Sequence, residues 1–212
     1  MGIYKQFFNN TRKPDGWMWK LMVNGMNKGH AAVSDWGLSY FPDIPVAAHS
    51  MVADFGCGGG RNTAALLKRF PAATVTALDY SKVACDKTKQ FNRHEVQIGR
   101  CNVVQGDVSR LPFEAATFDV ITAFETVYFW PGPVESFQEV WRVLKPGGTF
   151  MIVNESDGRN TKDEKWAGII DGMRIFTQER LTQYLKDAGF SQIAAHVNRK
   201  QHWICLLAEK AR

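Results

Sequence analysis

Three stretches of the chain carry groups suited to holding a small charged molecule. The first, Val52-Ala53-Asp54-Phe55-Gly56-Cys57-Gly58-Gly59-Gly60-Arg61, is an apolar strand that runs into a glycine turn and then into a helix containing Ala64, Ala65, Leu66 and Leu67. Gly56, Gly58 and Gly60 remove Cβ where the chain turns sharply, so backbone N–H groups and a helix N-terminus can approach a ligand closely. In the second, Val75-Thr76-Ala77-Leu78 ends in Asp79, nineteen residues after Gly60. An acid at that strand end can accept hydrogen bonds from the vicinal hydroxyls of a ribose. In the third, Gly106-Asp107-Val108 offers a carboxylate and a neighbouring N–H to an adenine edge. Asp54, Asp79 and Asp107 thus point toward one crevice, which suits a cationic ligand with an adenosine body better than a pyrophosphate. Arg61 stands where a dinucleotide fingerprint requires a small residue, and it too disfavours a pyrophosphate cofactor. Two plainer readings stay open here: a glycine-rich turn of no function, and strand-end aspartates that cap their own turns.

The elements that must position these residues alternate. Short β-branched or apolar runs at Val52–Phe55, Val75–Leu78, Val103–Gln105, Val120–Phe124, Thr149–Val153 and Ile204–Ala208 are separated by helical patterns, which predicts parallel strands joined by crossover helices. In Val134–Leu144, Phe137, Val140, Trp141 and Leu144 fall on one face and are expected in the core. Thr177 caps a helix carrying Leu181, Tyr184, Leu185 and Ala188, with Gly189 as its stop. The runs Ile193–Val197 and His202–Glu209 are linked by only Asn198–Gln201, too short for a crossover, so they form an antiparallel hairpin at a sheet edge. Two segments fall outside the alternation. Residues 16–38 place Trp19, Met22, Val23 and Met26 on one helical face; residues 154–176 are long enough to shape a pocket at a strand end.

A chain of 212 residues with 45% hydrophobic and 22% charged residues fits one globular core with attachments and excludes a fibrous or disordered protein. The net charge is +5, but Met51–Phe190 is balanced at 17 basic and 17 acidic residues, and the excess lies in Met1–Ser50 (+2) and Ser191–Arg212 (+3). No five-residue basic block occurs, so nucleic acid is not the expected partner. No apolar run reaches the roughly eighteen residues of a membrane span, and the polar start carries no export signal. Cys57, Cys85, Cys101 and Cys205 lack C-x-x-C or zinc spacing, so no metal site or disulfide is expected and a cytoplasmic setting fits. Cys85 and Cys205 are read as core fillers.

Asp54-Phe55-Gly56-Cys57-Gly58-Gly59-Gly60, followed by Leu78-Asp79-Tyr80-Ser81, Gly106-Asp107 with Leu111-Pro112-Phe113, Phe118-Asp119-Val120-Ile121 and Leu144-Lys145-Pro146-Gly147-Gly148-Thr149-Phe150, closely resembles the class I S-adenosylmethionine-dependent methyltransferases. The resemblance covers about Ser50 to Phe150, with Ala188-Gly189-Phe190 and the terminal hairpin similar to the family's closing elements. It implies an α/β, Rossmann-like fold: a seven-stranded sheet of order 3-2-1-4-5-7-6 with an antiparallel terminal strand and helices on both faces. It implies S-adenosyl-L-methionine as cofactor. Gly56, Gly58 and Gly60 would then lie at its methionine and ribose, Asp79 at the ribose hydroxyls, Tyr80 against the adenine, and Asp107 with Val108 at the adenine edge. The backbone carbonyl of Phe124 would hold the amino group, and Asp54 would orient the same end. Arg61 departs from the family pattern; it could pair with the methionine carboxylate or point to solvent.

Residues 1–49 are then read as a helical lid and 50–212 as the catalytic domain, whose 154–176 insertion shapes an acceptor pocket. Methyl transfer from a sulfonium needs mainly alignment and exclusion of water, with a base only where the acceptor loses a proton. Candidates near the methyl position are Glu125, His30 and Tyr128 as catalytic residues, with Trp36 beside them and Tyr128 and Trp130 able to wall an acceptor. His30 could instead cap a helix, and a convergence of Glu125, Asn154, Glu155 and Asp157 is read as polar loop chemistry. Phe124-Glu125-Thr126-Val127 differs from the Asn/Asp-Pro-Pro-aromatic motif of nucleic-acid amino methyltransferases, and no cysteine follows a proline as the cytosine C5 enzymes require. The expected partner is a small-molecule methyl acceptor. RNA or protein methylation through the basic termini, or a non-catalytic S-adenosylmethionine-binding module, are the alternatives.

Overall fold

The computed structural model describes residues 30–41 and 49–212; the expected helical face of Trp19, Met22, Val23 and Met26 lies outside them. The order is α1 (Ala31–Leu38), β1 (Met51–Phe55), α2 (Arg61–Arg69), β2 (Thr74–Asp79), α3 (Lys82–Phe91), α4 (Arg93–Gln97), β3 (Cys101–Gln105), β4 (Phe118–Phe124), a 3-10 turn (Val127–Phe129), α5 (Pro133–Val143), β5 (Leu144–Asn154), α6 (Thr161–Ile169), α7 (Gln178–Asp187), β6 (Gln192–Asn198) and β7 (Trp203–Glu209). The strands form one sheet of order β3-β2-β1-β4-β5-β7-β6. The pairs among β1 to β5 are parallel, and β7 runs antiparallel to β5 and to β6, the latter as the short terminal link requires.

The strands read as continuous apolar runs because both faces are covered. Alternate residues enter two cores: Ala53, Ile121 and Ile152 pack with Phe137, Val140, Leu181 and Leu185 from α5 and α7. Val52, Val120, Met151 and Val153 pack on the other face with Val33 of α1 and Leu66 and Leu67 of α2. Thr177 caps α7 by accepting from Arg180 N at 3.3 Å, and Gly189 takes a left-handed φ of +102° after it. Cys85 and Cys205 are buried. One core expectation fails. Trp141 is 36% exposed: its indole N–H donates to Gly189 O at 3.1 Å and the Lys210 ammonium sits 3.9 Å over its ring. An indole needs a partner for its N–H, and the surface beyond α7 supplies one; Val143, on the neighbouring flank of the helix, fills the core instead.

Candidate active site

The carboxyl ends of β1, β2 and β4 meet at one rim. Gly56 N and Cys57 N both donate to Leu78 O, at 2.7 and 3.1 Å, so the glycine loop is stitched to the end of β2. Gly56 has φ +82°, and a Cβ there would overlap the Thr126 side chain. Gly58, at φ +52°, has no atom within 4 Å of where its Cβ would stand, so the loop is open to the crevice on that side. From behind, α3 holds the loop: Thr88 Oγ1 donates to Gly58 O at 3.1 Å and Asn92 Nδ2 to Gly60 O at 3.0 Å.

The three strand-end acids are not equivalent. Asp79 receives Gly58 N on Oδ2 at 3.0 Å and Ser81 N on Oδ1 at 2.9 Å, which orients the carboxylate and leaves lone pairs on both oxygens. Burial raises its pKa and the two N–H groups oppose the rise. Asp54 is fully buried beneath the loop, accepting from Thr63 Oγ1 at 2.6 Å. Burial pushes it up to about 6, against the Thr63 hydrogen bond; its carboxylate ties β1 to α2 inside the fold and does not line the rim. Asp107 is exposed, and its Oδ1 accepts from Ser109 N at 2.8 Å and Ser109 Oγ at 2.7 Å, which is turn capping. Gly106 N nevertheless donates to Asp79 O at 3.0 Å, so the β3 end is joined to the same rim. Tyr80 leaves 45% of its surface exposed beside it. Val108 packs partly into the core, and the Phe124 side chain is buried against the other face. Arg61 pairs within the chain: its Nη2 lies 2.6 and 2.7 Å from the two carboxylate oxygens of Asp35 on α1.

On the far side of the rim, β4 and β5 end side by side, with Phe124 and Val153 as register partners. Glu125 follows at φ +57°, its N–H donating to Val153 O at 2.9 Å and its Oε1 accepting from Glu155 N. Its Oε2 stands 3.4 Å from His30 Nδ1, and Glu155 Oε2 stands 3.9 Å from the same nitrogen. His30 Nδ1 is buried without hydrogen-bond geometry to either, so these are ion-pair distances. The side chain of His30 does not cap α1; it faces the carboxylates. The donor atoms of His30, Glu125 and Glu155 lie within 4.8 Å of one another. The Glu125 side chain is only 10% exposed, and burial pushes it up to about 7 against the pull of His30. For His30, burial lowers the pKa, but Glu125 and Glu155 outweigh it and the net shift is upward. The Tyr128 phenol oxygen is buried and accepts from Ser156 N at 3.1 Å. The insertion is pinned to the same turn, through Arg174 N to Tyr128 O at 2.9 Å and the Arg174 guanidinium to Trp130 O. Asp157 does not join the cluster, pairing with His202 at 3.2 Å.

A methyltransferase domain model matches residues 53–152, the span that holds the glycine loop and the first strand-end acids. The chain is 33% identical over 153 residues to cycloartenol-C-24-methyltransferase 1 of Oryza sativa subsp. japonica, covering 67% of this chain and 44% of that protein. It is 32% identical over 142 residues to the chloroplastic 2-methyl-6-phytyl-1,4-hydroquinone methyltransferase 1 of the same plant, covering 67% and 41%. The chain thus spans less than half the length of these relatives. Residues 53–152 thus carry a methyltransferase domain, and the strand order is the one expected of the class I S-adenosylmethionine-dependent methyltransferases. Among solved structures, a putative methyltransferase in complex with the Haloferax volcanii Trm112 methyltransferase activator has the same fold, with a TM-score of 0.79 and 18% identity over 99% of this chain and 98% of that one.

The open side of Gly58 and the oriented Asp79 carboxylate fit the family's cofactor, S-adenosylmethionine: one leaves room for a ligand against bare backbone, the other leaves acceptor lone pairs beside it. Three contributors escaped the methyltransferase motifs. Thr63 holds Asp54, Asp35 holds Arg61, and Glu155 joins His30 and Glu125. Only Glu155 had a signal in the sequence, since it stands one residue past the end of β5 as Glu125 stands one past β4.

Proposed function

We propose that this methyltransferase transfers a methyl group to a small organic acceptor, with Asp79 and the glycine loop holding the cofactor and the His30–Glu125 pair facing the acceptor. The observation that carries the reading is the Asp79 carboxylate, fixed by Gly58 N and Ser81 N next to the open side of Gly58. When bound, S-adenosylmethionine supplies a methyl group activated on a sulfonium. Asp79 then accepts from the ribose hydroxyls, Tyr80 covers the adenine, Asp107 and Val108 meet its edge, and the Phe124 carbonyl receives the amino group. Gly56 and Gly60 shape the loop, and Asp54 supports it from below through Thr63. Orientation and exclusion of water are the protein's main contribution. Glu125 takes the acceptor's proton where one must leave, since a base whose pKa lies near the working pH is the most effective. Tyr128 holds the insertion against the site through Ser156 N.

A small acceptor is supported by the sterol and hydroquinone named for the relatives above, and residues 1–49 with the 154–176 insertion would enclose it. The cysteines are free and buried, which suits a reducing, cytoplasmic compartment, and no helix among the described residues is long and apolar enough to cross a membrane. A second reading, methylation of RNA or protein, draws on the basic excess in Met1–Ser50 (+2) and Ser191–Arg212 (+3). An acceptor screen scored by release of S-adenosylhomocysteine tests the proposal. Turnover on sterol-like, quinol or small hydroxyl and amine acceptors supports it. Turnover only on RNA or protein, or tight cofactor binding without turnover on any class, contradicts it.

A further inference from the structure

Glu155 meets the acceptor side in two separable ways. Its backbone N–H donates to Glu125 Oε1, and its carboxylate Oε2 stands 3.9 Å from His30 Nδ1. The parallel pairing of β4 and β5 forces the first contact: with Phe124 opposite Val153 and Glu125 N bonded to Val153 O, the residues just past each strand end lie together. The second contact belongs to the side chain alone. Two carboxylates and an imidazole with donor atoms within 4.8 Å repel or attract one another according to how many protons they share, and a negative charge held there favours taking one up.

Among the described residues, the other polar and charged groups beside the cluster are engaged as follows. On α1, Asp35 pairs with Arg61. From the 3-10 turn, the Tyr128 phenol faces Ser156 N. Asp163 of α6 accepts from Ser156 Oγ, and Asp157, beyond β5, pairs with His202. The Glu155 side chain is 48% exposed, against 10% for Glu125 and 28% for His30, so it is the most exposed of the three.

We propose that Glu155 is a positioning residue for the acceptor-side base, and that its carboxylate sets the basicity of the His30–Glu125 pair while its backbone holds Glu125 in place. This rests on the reading of Glu125 as a base. Because the bond to Glu125 comes from the main chain, Glu155→Gln keeps it and removes only the charge. The test is the titration of the His30 imidazole, followed by NMR in the full chain for the wild type and Glu155→Gln, beside the pH dependence of kcat. Both midpoints are expected to move to lower pH by about half a unit or more in the variant. An unmoved His30 midpoint in Glu155→Gln, with Glu155→Ala giving the same result, overturns the proposal. The imidazole titration needs no turnover, so it stands apart from the base reading: a shifted midpoint together with a fully active Glu125→Gln would sink the base and leave the electrostatic role of Glu155 intact. A stoichiometric shift of the His30 resonances by added Zn2+, lost in Glu155→Gln, would make the three donors a metal site and overturn the proposal.

Discussion

The two sides of the crevice are built from different materials. The cofactor side is mostly backbone: the glycine loop bonds to the Leu78 carbonyl, and Asp79 is oriented by two main-chain N–H groups. The acceptor side is mostly side chain, with His30, Glu125 and Glu155 drawn from three distant segments. A backbone site demands residue types at fixed positions, because only glycine tolerates the conformation and the clearance. A side-chain site demands only that suitable groups arrive, and many sequences can deliver them. Such a division lets one cofactor cradle serve many acceptors.

If the cofactor side is so constrained, small steric changes there must do the most harm. Gly56→Val should cost about 3 kcal/mol or more of stability, because it adds bulk against Thr126 at a left-handed φ; denaturant unfolding checks this. The acceptor side should fail in rate and not in fold. Glu125→Gln should lower kcat by about 100-fold on a proton-losing acceptor and leave cofactor affinity unchanged. In the wild type, kcat should rise with pH through about 7 as the buried Glu125 ionises, and the variant should lose that limb.

Asp54 sharpens the comparison, since it is an acid of the cofactor side with no exposed function. Its folded pKa is raised from 3.8 to about 6, so the folded state holds the proton more tightly than the unfolded chain. Ionisation therefore opposes folding, and stability should fall as pH rises from about 4 through about 6, by a few kcal/mol at most. Asp54→Asn should flatten that decline in melts across the same range. The smallest effect belongs to the link between the two sides. Asp35→Asn removes the partner of Arg61, but Asp35 is well exposed, and loss of a surface pair should cost about 1 kcal/mol or less; an unfolding midpoint shifted by more would show that α1 depends on it.

The same contrast explains what could be read from the sequence. The parallel strands with their crossover helices and the antiparallel terminal hairpin followed from apolar runs and one short link, whereas the strand order came with the resemblance to the methyltransferases and not from any local pattern. The glycine loop and Asp79 were legible for the same reason that they are constrained. Trp141 misled because helical spacing says which face a residue occupies and not whether its indole N–H needs the surface. Arg61 was unreadable because its partner, Asp35, lies on a helix whose docking no local pattern specifies. Glu125 and His30 were legible as types, yet their meeting with Glu155 depends on how α1 docks against β5 and β7.

Calorimetric titration of S-adenosylmethionine into the wild-type chain and Asp79→Ala bears most directly on the cradle. One molecule should bind per chain, and the variant should bind at least about tenfold more weakly, through loss of charge-assisted hydrogen bonds to the ribose. Equal affinity in a folded Asp79→Ala, or binding of a nicotinamide or flavin dinucleotide in place of S-adenosylmethionine, would contradict it.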